Sequence, residues 1–170
     1  MIAIVNTDPN WGIGKSNELQ VRISKDLIRF KDLTLNKVII YGSKTMQTYP
    51  KGRPLPNRTN IVLTRNRELI IEGAIVCYSL AELLDKVEQL KQEANLESED
   101  FIVVGGAMIY EMLLPHCNKC YVTRIDQVLP ADSFFPNLDQ REDWELIEQS
   151  QWYHDLTNDL NYSFLTYRRK

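Results

Sequence analysis

Short apolar runs rich in β-branched and aromatic residues recur along the first two thirds of the chain and predict strands. Helical patterns lie between them, and the longest starts with a capping box, Ser79 three residues before Glu82. The predicted strands are residues 2–5, 38–41, 60–64, 74–78, 101–104 and 119–125, and the predicted helices are residues 25–35, 43–48, 80–94 and 107–113. Strands that alternate with helices predict an α/β sheet with crossover connections, covered on both faces.

The last third of the chain has a different pattern. A turn-rich segment, LPADSFFPN, is followed by WELIEQSQWYH and NYSFLTYRR, in which no strong helix is visible. Successive strands without helices between them pair antiparallel. We therefore predict a single α/β domain over residues 1–170, built on a twisted, mostly parallel mixed sheet of eight strands with an antiparallel C-terminal edge, and with about four helices flanking both faces.

Composition narrows the classes of protein and partner. The chain is 44% hydrophobic and 25% charged, which is typical of a soluble globular protein. A net charge of -3 gives no broad cationic surface, which argues against nucleic acid and anionic membrane as partners. No signal-peptide pattern and no apolar run of membrane-spanning length is present, so we expect a cytoplasmic protein. The scattered surface charge favours a monomer.

Three cysteines without a secretory signal predict reduced thiols rather than a disulfide framework. Cys117 and Cys120 form a CxxC motif after His116. A redox CxxC opens a helix after a strand, and a zinc site needs four ligands, whereas this motif runs into the predicted strand 119–125. We expect plain thiols and no metal site, with a redox or metal role as the less favoured alternative.

Glycines at the ends of predicted strands indicate an anion-binding site. A Gly-Gly pair at 105–106 separates a strand from a helix, so that backbone N–H groups and a helix N-terminus converge where no side chain blocks approach. Residues 42–45 (GSKT) repeat the arrangement and add a lysine and two hydroxyls. Tight packing at the first pair and a simple N-cap at Ser43 are the structural alternatives.

Thr64 and Arg65 end a third strand, 60–64. Ligands of α/β sheets bind outside the carboxyl ends of strands, so three such ends with glycine, lysine, threonine and arginine predict one extended anion site. Neither the GxGxxG dinucleotide fingerprint nor the P-loop pattern GxxxxGK[ST] occurs in the chain.

Asp26, at the end of ELQVRISKD, is the candidate acid. It lies early in the predicted helix 25–35, beside Leu27, Ile28 and Phe30, whose apolar side chains we expect to point into the protein. Ile23, Leu27 and Phe30 share one face of this helix. A carboxylate facing an apolar pocket is unfavourable unless it has a hydrogen-bonding partner, which favours a ligand-binding role. The alternative is that it complements the helix dipole or faces solvent.

Arg58 is the candidate cation at the other end of the predicted site. It ends the Pro-rich segment PKGRPLPNR at 50–58, which is too short for an interdomain linker and which we expect to form an ordered loop. Its guanidinium group can bind a substrate carboxylate through two N–H groups, or it can be an ordinary surface charge.

Taken together, these motifs resemble a bacterial dihydrofolate reductase, and the likeness extends from Ile4 to the C-terminal strand. The motifs that carry it, in order, are residues 12–14 (GIG) with the loop to Leu19, 26–31 (DLIRFK) followed by Thr34, 42–45 (GSKT), 52–58 (GRPLPNR), 103–110 (VVGGAMIY), 121–126 (YVTRID) and 132–136 (DSFFP). Any one motif is weak evidence, but their common order and spacing are specific.

The resemblance implies NADPH-dependent reduction of 7,8-dihydrofolate to tetrahydrofolate by direct hydride transfer, without a metal, in one-carbon metabolism. It also implies that antifolate-type inhibitors bind. The implied catalytic residues are Asp26, which accepts paired hydrogen bonds from the pterin, and Thr123, which supports it. Arg58 is implied to bind the glutamyl α-carboxylate. The implied substrate-binding residues are Val5, Asp26, Phe30, Tyr49, Leu55, Arg58, Val104 and Thr123.

The resemblance likewise implies where the cofactor binds. Arg65, helped by Lys44, is implied to bind the 2'-phosphate and so to select NADPH over NADH. The loop 12–19 is expected to be mobile and to close over the nicotinamide. The implied cofactor-binding residues are Asn6, Ile13, Gly14, Leu19, Gly42, Ser43, Lys44, Thr45, Thr64, Arg65, Gly105, Gly106, Ala107, Met108, Ile109 and Tyr110.

One departure from the family pattern stands out. The family usually has Pro-Trp after the leucine of this loop, whereas this chain has Gln20 and Val21 after Leu19. Val21 is smaller and has no hydrogen-bond donor, and Gln20 is expected to loosen the loop. Two other functions therefore stay open: a related pyridine-nucleotide reductase acting on another pterin or a ribosylated pyrimidine, and a non-catalytic homologue that binds folate or a nucleotide.

Overall fold

The computed structural model describes all 170 residues. Twelve strands are present: β1 Ile2–Thr7, β2 Gly12–Lys15, β3 Glu18–Leu19, β4 Val38–Gly42, β5 Thr59–Leu63, β6 Ile75–Cys77, β7 Phe101–Gly105, β8 Lys119–Ile125, β9 Ser133–Phe134, β10 Trp144–Gln149, β11 Tyr153–Asp155 and β12 Leu160–Arg169. The α-helices are α1 Ser24–Thr34, α2 Ser43–Met46, α3 Leu80–Ala94 and α4 Ala107–Leu113. Short 3-10 turns occupy Pro50–Gly52, Ser98–Asp100, Leu114–His116 and Leu138–Gln140.

The main sheet has the order β10-β12-β8-β1-β7-β4-β5-β6, and the short β11 pairs with β12 outside this row. All pairs from β8 to β6 are parallel, whereas β12 runs antiparallel to both β8 and β10. The predicted fold class is confirmed: a mixed, mostly parallel eight-stranded sheet with an antiparallel C-terminal edge and four helices. From β1 the chain crosses to β4, β5 and β6, then returns to place β7 and β8 on either side of β1. This reversal leaves a crevice at the carboxyl ends of the central strands.

The core lies on both faces of the sheet because side chains alternate along each buried strand. In β4, Ile40 packs in a cluster with Leu83 of α3 and Ile109 of α4. Its neighbours Ile39 and Tyr41 pack in a second cluster on the other face, which α1 and α2 cover. The continuous apolar pattern of this strand therefore follows from its two covered faces.

The capping box predicted the start of α3 correctly. The Ser79 hydroxyl accepts a hydrogen bond from the Glu82 backbone N–H at 3.1 Å, and the Glu82 carboxylate accepts one from the Tyr78 N–H at 2.6 Å. The helix ends at Asn95, which has left-handed backbone angles suited to a C-cap. No helix is both long and apolar enough to cross a membrane.

Residues 12–19 form a β-hairpin where a loop was expected, and their closure over the nicotinamide stays a prediction. Strands β2 and β3 pair antiparallel through a two-residue turn at Ser16 and Asn17, both with positive φ, and β9 adds a third strand. Two left-handed residues give the turn type that matches the twist of a hairpin. The strands are two to four residues long, too short for periodicity to reveal them.

All three cysteines carry free, buried thiols. Cys117 follows a 3-10 turn and Cys120 lies within β8, so the CxxC motif does not open a helix. Burial raises the pKa of Cys117 to about 11 and also raises the pKa of Cys120. Thiols with such high pKa values are poor nucleophiles at neutral pH, which agrees with a structural role. No cluster of three or more histidine, cysteine or acidic side chains is arranged to hold a metal ion.

Candidate active site

A cleft of about 640 Å³ opens at the carboxyl ends of β1, β4, β5 and β7. The β2–β3 hairpin forms one wall, and the N-terminal residues of α2 and α4 form another. All the cofactor-binding residues that the resemblance implied line this one cleft: Asn6, Ile13, Gly14, Leu19, Gly42, Ser43, Lys44, Thr45, Thr64, Arg65, Gly105, Gly106, Ala107, Met108, Ile109 and Tyr110. A cleft of this volume suits a dinucleotide-sized ligand.

Gly105 allows a ligand to approach the backbone closely. Its φ is +115°, and a Cβ atom there would lie 3.1 to 3.3 Å from ring atoms and the hydroxyl of Tyr110. That ring is held in place, because its hydroxyl donates to the Ile4 carbonyl at 2.6 Å and the ring packs edge-on against Phe135. Only glycine fits this turn without displacing Tyr110. The peptide bond from Gly105 to Gly106 is cis.

Cationic and hydroxyl groups gather on the side of the cleft formed by α2 and the end of β5. Lys44 and Arg65 are both exposed there, beside the hydroxyl-bearing Ser43, Thr45 and Thr64. Neither cation takes part in an ion pair within the chain. Their charges are therefore available to a ligand phosphate.

Asp26 lies in the first turn of α1 and meets two strands of the sheet. Thr123 of β8 donates its hydroxyl hydrogen to Oδ1 at 2.6 Å, and Asn6 of β1 donates from Nδ2 to Oδ2 at 3.1 Å. Asn6 and Thr123 are paired in register across the two parallel strands. The carboxylate is half-buried, and its two internal donors offset part of the unfavourable free energy of leaving water.

The predicted inward face of α1 is only partly right. Phe30 and Ile23 are partly or fully buried, and Asp26 lies on the same stripe. Leu27 and Ile28 are 42% and 54% exposed, so their predicted burial is wrong. On a helix with 3.6 residues per turn, Ile28 falls nearly opposite Phe30 and Leu27 at the edge of the stripe.

The remaining candidate substrate residues lie along α1 and the facing loop. Phe30, Tyr49 and Leu55 are partly buried against one cluster on the sheet, while Val5 and Val104 line the cleft. Phe30, Tyr49 and Leu55 do not line the cleft itself. Burial raises the pKa of the Tyr49 phenol far above its ordinary value, so it stays neutral.

Arg58 is anchored at the far end of α1 from Asp26. Its Nε donates to the Thr34 hydroxyl at 2.9 Å, and its Nη1 donates to the Pro56 carbonyl at 2.6 Å. Asp26 and Thr34 are eight residues apart on α1, which corresponds to about 12 Å along the helix axis. The two charged groups thus lie near opposite ends of α1.

The sequence profile of the family described as dihydrofolate reductase matches residues 1–169. The chain belongs to the dihydrofolate reductase family. It is 36% identical to dihydrofolate reductase of Bacillus subtilis over 163 residues, which cover 96% of this chain and 90% of that protein. Identity to dihydrofolate reductase of Haemophilus influenzae is 34% over 167 residues, covering 98% and 97%.

A solved dihydrofolate reductase from Enterococcus faecalis, complexed with NADP(H) and a ligand named RAB-propyl, has a similar structure. The TM-score is 0.80 at 31% identity, and the match covers 99% of this chain and 95% of that one. The bacterial dihydrofolate reductase resemblance is confirmed. The predicted activity is confirmed with it: the protein is an NADPH-dependent oxidoreductase that reduces dihydrofolate, in folate and one-carbon metabolism.

Gln20, where the family pattern has proline, connects the end of the hairpin to two distant parts of the chain. Its Nε2 donates to the Leu129 carbonyl at 3.2 Å and to Asp8 Oδ2 at 3.3 Å. The buried Asp8 carboxylate also accepts backbone hydrogen bonds from Asn10, Gly12 and Leu129. The side-chain amide therefore provides contacts that proline has no atoms to make, and the expected effect on the stiffness of the loop stays a prediction.

A second tie holds the hairpin at its turn. The Ser16 backbone N–H donates to Asp132 Oδ2 at 2.8 Å, and the Asp132 N–H donates to the Gly14 carbonyl. The Ser16 N–H and the Ser133 hydroxyl lower the pKa of Asp132, which stays ionised at neutral pH. Val21, at the family's tryptophan position, packs against a small cluster that includes Ile23 and Ile125.

We expect Gln20→Ala to lower the free energy of unfolding by about 1 kcal/mol, because a buried carboxylate loses one of its four donors. Gln20→Pro, which restores the usual family residue, should not recover this loss. Urea denaturation measures both variants. Gln92→Ala, at an exposed position of α3, is the matched control and should change little. An unchanged unfolding free energy in Gln20→Ala would show that the amide does not anchor the hairpin.

Several residues that line the cleft were not predicted from the sequence. Most come from the hairpin and from loops beyond β5 and β6, where no periodic pattern marks a site. These residues are Lys15, Asn17, Glu18, Thr48, Leu63, Asn66, Tyr78, Ser79, Leu80, Met112 and Ser133. The turn residues Ser16-Asn17 and the pair Asp132-Ser133 are the sequence features from which this hairpin could have been predicted.

Proposed function

We propose that Asp26 and Thr123 bind the pterin of dihydrofolate in a site that adjoins the cleft at Asn6, beside the nicotinamide of NADPH. The observation that carries this proposal is the Asp26 carboxylate, held by Thr123 and Asn6 and half-buried next to a cleft of about 640 Å³. A carboxylate with unused lone pairs matches the paired N–H donors of the pterin amino group and ring nitrogen.

The overall reaction adds a hydride to C6 and a proton to N5 of 7,8-dihydrofolate, and NADPH supplies the hydride when bound. The role of Asp26 is to hold the pterin through its amino edge, so that C6 faces the nicotinamide side of the cleft. Ile13 and Leu19 of the hairpin wall limit the access of water to the reacting atoms.

Phe30, Tyr49 and Leu55 are proposed to line the ring systems of the substrate, and Arg58 to bind its α-carboxylate. The separation of about 12 Å between the positions of Asp26 and Thr34 along α1 suits a ligand with aromatic rings between a donor pair and a carboxylate. Thr34 and Pro56 hold the Arg58 guanidinium in a fixed orientation. Val5 and Val104 are proposed to contact the pterin through their backbone.

Glycine and cationic groups along the cleft support a binding mode for NADPH. Gly105 and Gly106 are proposed to bind the diphosphate through backbone N–H groups at the start of α4, next to Ser43 and Thr45. Lys44 and Arg65 are proposed to bind the 2'-phosphate, since neither is committed to an ion pair. NADH has no 2'-phosphate, so Lys44 and Arg65 would have no ligand group to bind at this position.

The decrease of NADPH absorbance after dihydrofolate is added measures the enzymatic activity. The variant Arg65→Ala tests the proposed binding of the 2'-phosphate. We expect kcat/KM for NADPH to fall about tenfold to a hundredfold in this variant, because one charge-assisted phosphate contact is lost. The value for NADH should change less than twofold. Arg67→Ala removes an exposed cation from the same loop that does not line the cleft, and should leave both values unchanged.

Two results would overturn these proposals. If the wild-type protein binds NADPH and dihydrofolate but shows no turnover, the catalytic role of the site fails and a binding function replaces it. If kcat/KM is the same for NADH and NADPH in both the wild type and Arg65→Ala, Arg65 does not bind the 2'-phosphate.

We also propose that the protein is a cytoplasmic monomer and that antifolate-type inhibitors compete with dihydrofolate. Three free thiols agree with a reducing compartment. The most exposed apolar side chains, Ile70 and Leu156, are each 87% exposed and lie far apart in the sequence. Size-exclusion chromatography with light scattering tests the monomer, and a mass twice that of the chain would contradict it.

A further inference from the structure

Asn6 places a side-chain amide against the candidate acid from the neighbouring strand. Because Asn6 of β1 and Thr123 of β8 are paired in register, both side chains project from the same face of the sheet. Thr123 donates to Oδ1 of Asp26, and Asn6 donates to Oδ2. Each carboxylate oxygen therefore has its own donor, and the two donors come from adjacent strands of the rigid central sheet.

The two donors leave a defined set of lone pairs for a ligand. An ionised carboxylate has about four lone-pair sites and accepts only. Thr123 and Asn6 occupy one site on each oxygen, so one site on each oxygen remains. Two parallel acceptor sites are what a ligand with two adjacent N–H groups requires. With Thr123 alone, the carboxylate could rotate about its bond to the Cβ atom and lose this alignment.

Asn6 also joins the acid to the cofactor cleft. It lines the cleft and is only half-buried, and its amide carbonyl has no hydrogen-bond partner within the chain. The amide nitrogen must face Asp26, since a carboxylate cannot donate, so the amide oxygen points away from the acid. The side chain thus stands between the acid and the proposed position of the nicotinamide.

We propose that the Asn6 side chain is a positioning residue that fixes Oδ2 of Asp26 and thereby sets the affinity of the site for the amino edge of a pterin. This role rests on the proposed function of Asp26. It is separate from the cofactor contact that the family resemblance implies for Asn6, because the resemblance assigns that contact to the backbone, which a side-chain substitution leaves in place.

Asn6→Leu tests the proposal, because leucine has a similar shape without a donor. We expect the Kd for dihydrofolate to rise about tenfold, the effect of losing one hydrogen bond to a charged group, and the Kd for NADPH to rise by a clearly smaller factor. Asn6→Asp should weaken dihydrofolate binding further, because a second carboxylate would lie at hydrogen-bond distance from Asp26. Fluorescence titration measures both ligands, and Asn118→Leu, at an exposed turn, is the control.

The binding data distinguish a positioning role of Asn6 from a purely structural one. A selective loss of dihydrofolate affinity, larger in Asn6→Asp than in Asn6→Leu, supports the positioning role. Unchanged dihydrofolate affinity, or an equal loss for both ligands, overturns it, since a structural effect would affect both sites. NADPH binding also reports that each variant is folded. If the wild-type protein itself does not reduce dihydrofolate, the proposed function fails, and the role of Asn6 fails with it.

Discussion

Asp26→Asn is expected to lower kcat/KM for dihydrofolate by about a hundredfold to ten-thousandfold. The neutral amide cannot accept two charge-assisted hydrogen bonds from the pterin, each worth about 1.5–3 kcal/mol. The new amide can keep both internal contacts, because its oxygen can accept from the Asn6 amide and its NH₂ group can donate to the Thr123 hydroxyl oxygen. The NH₂ group would then face an N–H donor of the pterin, so the loss comes from weaker binding of the substrate.

Steady-state kinetics and fluorescence titration separate this effect from a general loss of structure. The Kd for NADPH should stay within about twofold of wild type, because Asp26 does not line the cofactor cleft. Asp32→Asn removes an exposed carboxylate from the same helix and should keep wild-type kinetics. Equal losses in the two variants would show that helix stability, and not substrate binding, accounts for the change.

Gly105→Ala is the second substitution with a large expected effect, a loss of about 3 kcal/mol in the free energy of unfolding. A residue with a Cβ atom is strained at the φ of +115° found here. The new methyl group would also press on the Tyr110 ring, which is buried and tied to Ile4. Because Tyr110 lines the cofactor cleft, we expect NADPH affinity to fall as well.

Gly73→Ala is the matched control, because this position also has a positive φ, +80°, but no atom lies within 4 Å of its added Cβ. It should lose only the backbone contribution, about 1 kcal/mol, and keep NADPH affinity. Urea denaturation and fluorescence titration measure both variants. Equal losses of stability would mean that the contact with Tyr110 contributes nothing.

Elements with strong local patterns were predicted closely. Helix α3 matches its predicted bounds because the capping box and the apolar stripe act within the segment itself. Strand β8 and helix α4 also match, since a long apolar run and a Gly-Gly turn identify them. The meeting of residues 42–45, 64–65 and 105–106 in one cleft was predicted, because parallel strands end at the same edge of a sheet.

The β2–β3 hairpin and the anchoring role of Gln20 were not predicted. The hairpin strands are too short for a periodic signal, and Gln20 reaches Leu129, more than a hundred residues away in the sequence. Predicting the exposure of Leu27 and Ile28 required the orientation of α1 on the sheet, which depends on its packing and not on its own composition.

The sequence by itself determined the α/β fold class, the strand-end glycines, the cations of the cleft and the choice of Asp26 as candidate acid. These features depend on residue type and local spacing, which hydrophobic burial and backbone geometry translate directly into structure. The tertiary structure alone decided that Asn6 and Thr123 donate hydrogen bonds to separate oxygens of Asp26 and that Gln20 donates one to Asp8. Such contacts depend on the register between β1 and β8 and on loops brought together from distant parts of the chain, and neither is encoded within any single segment.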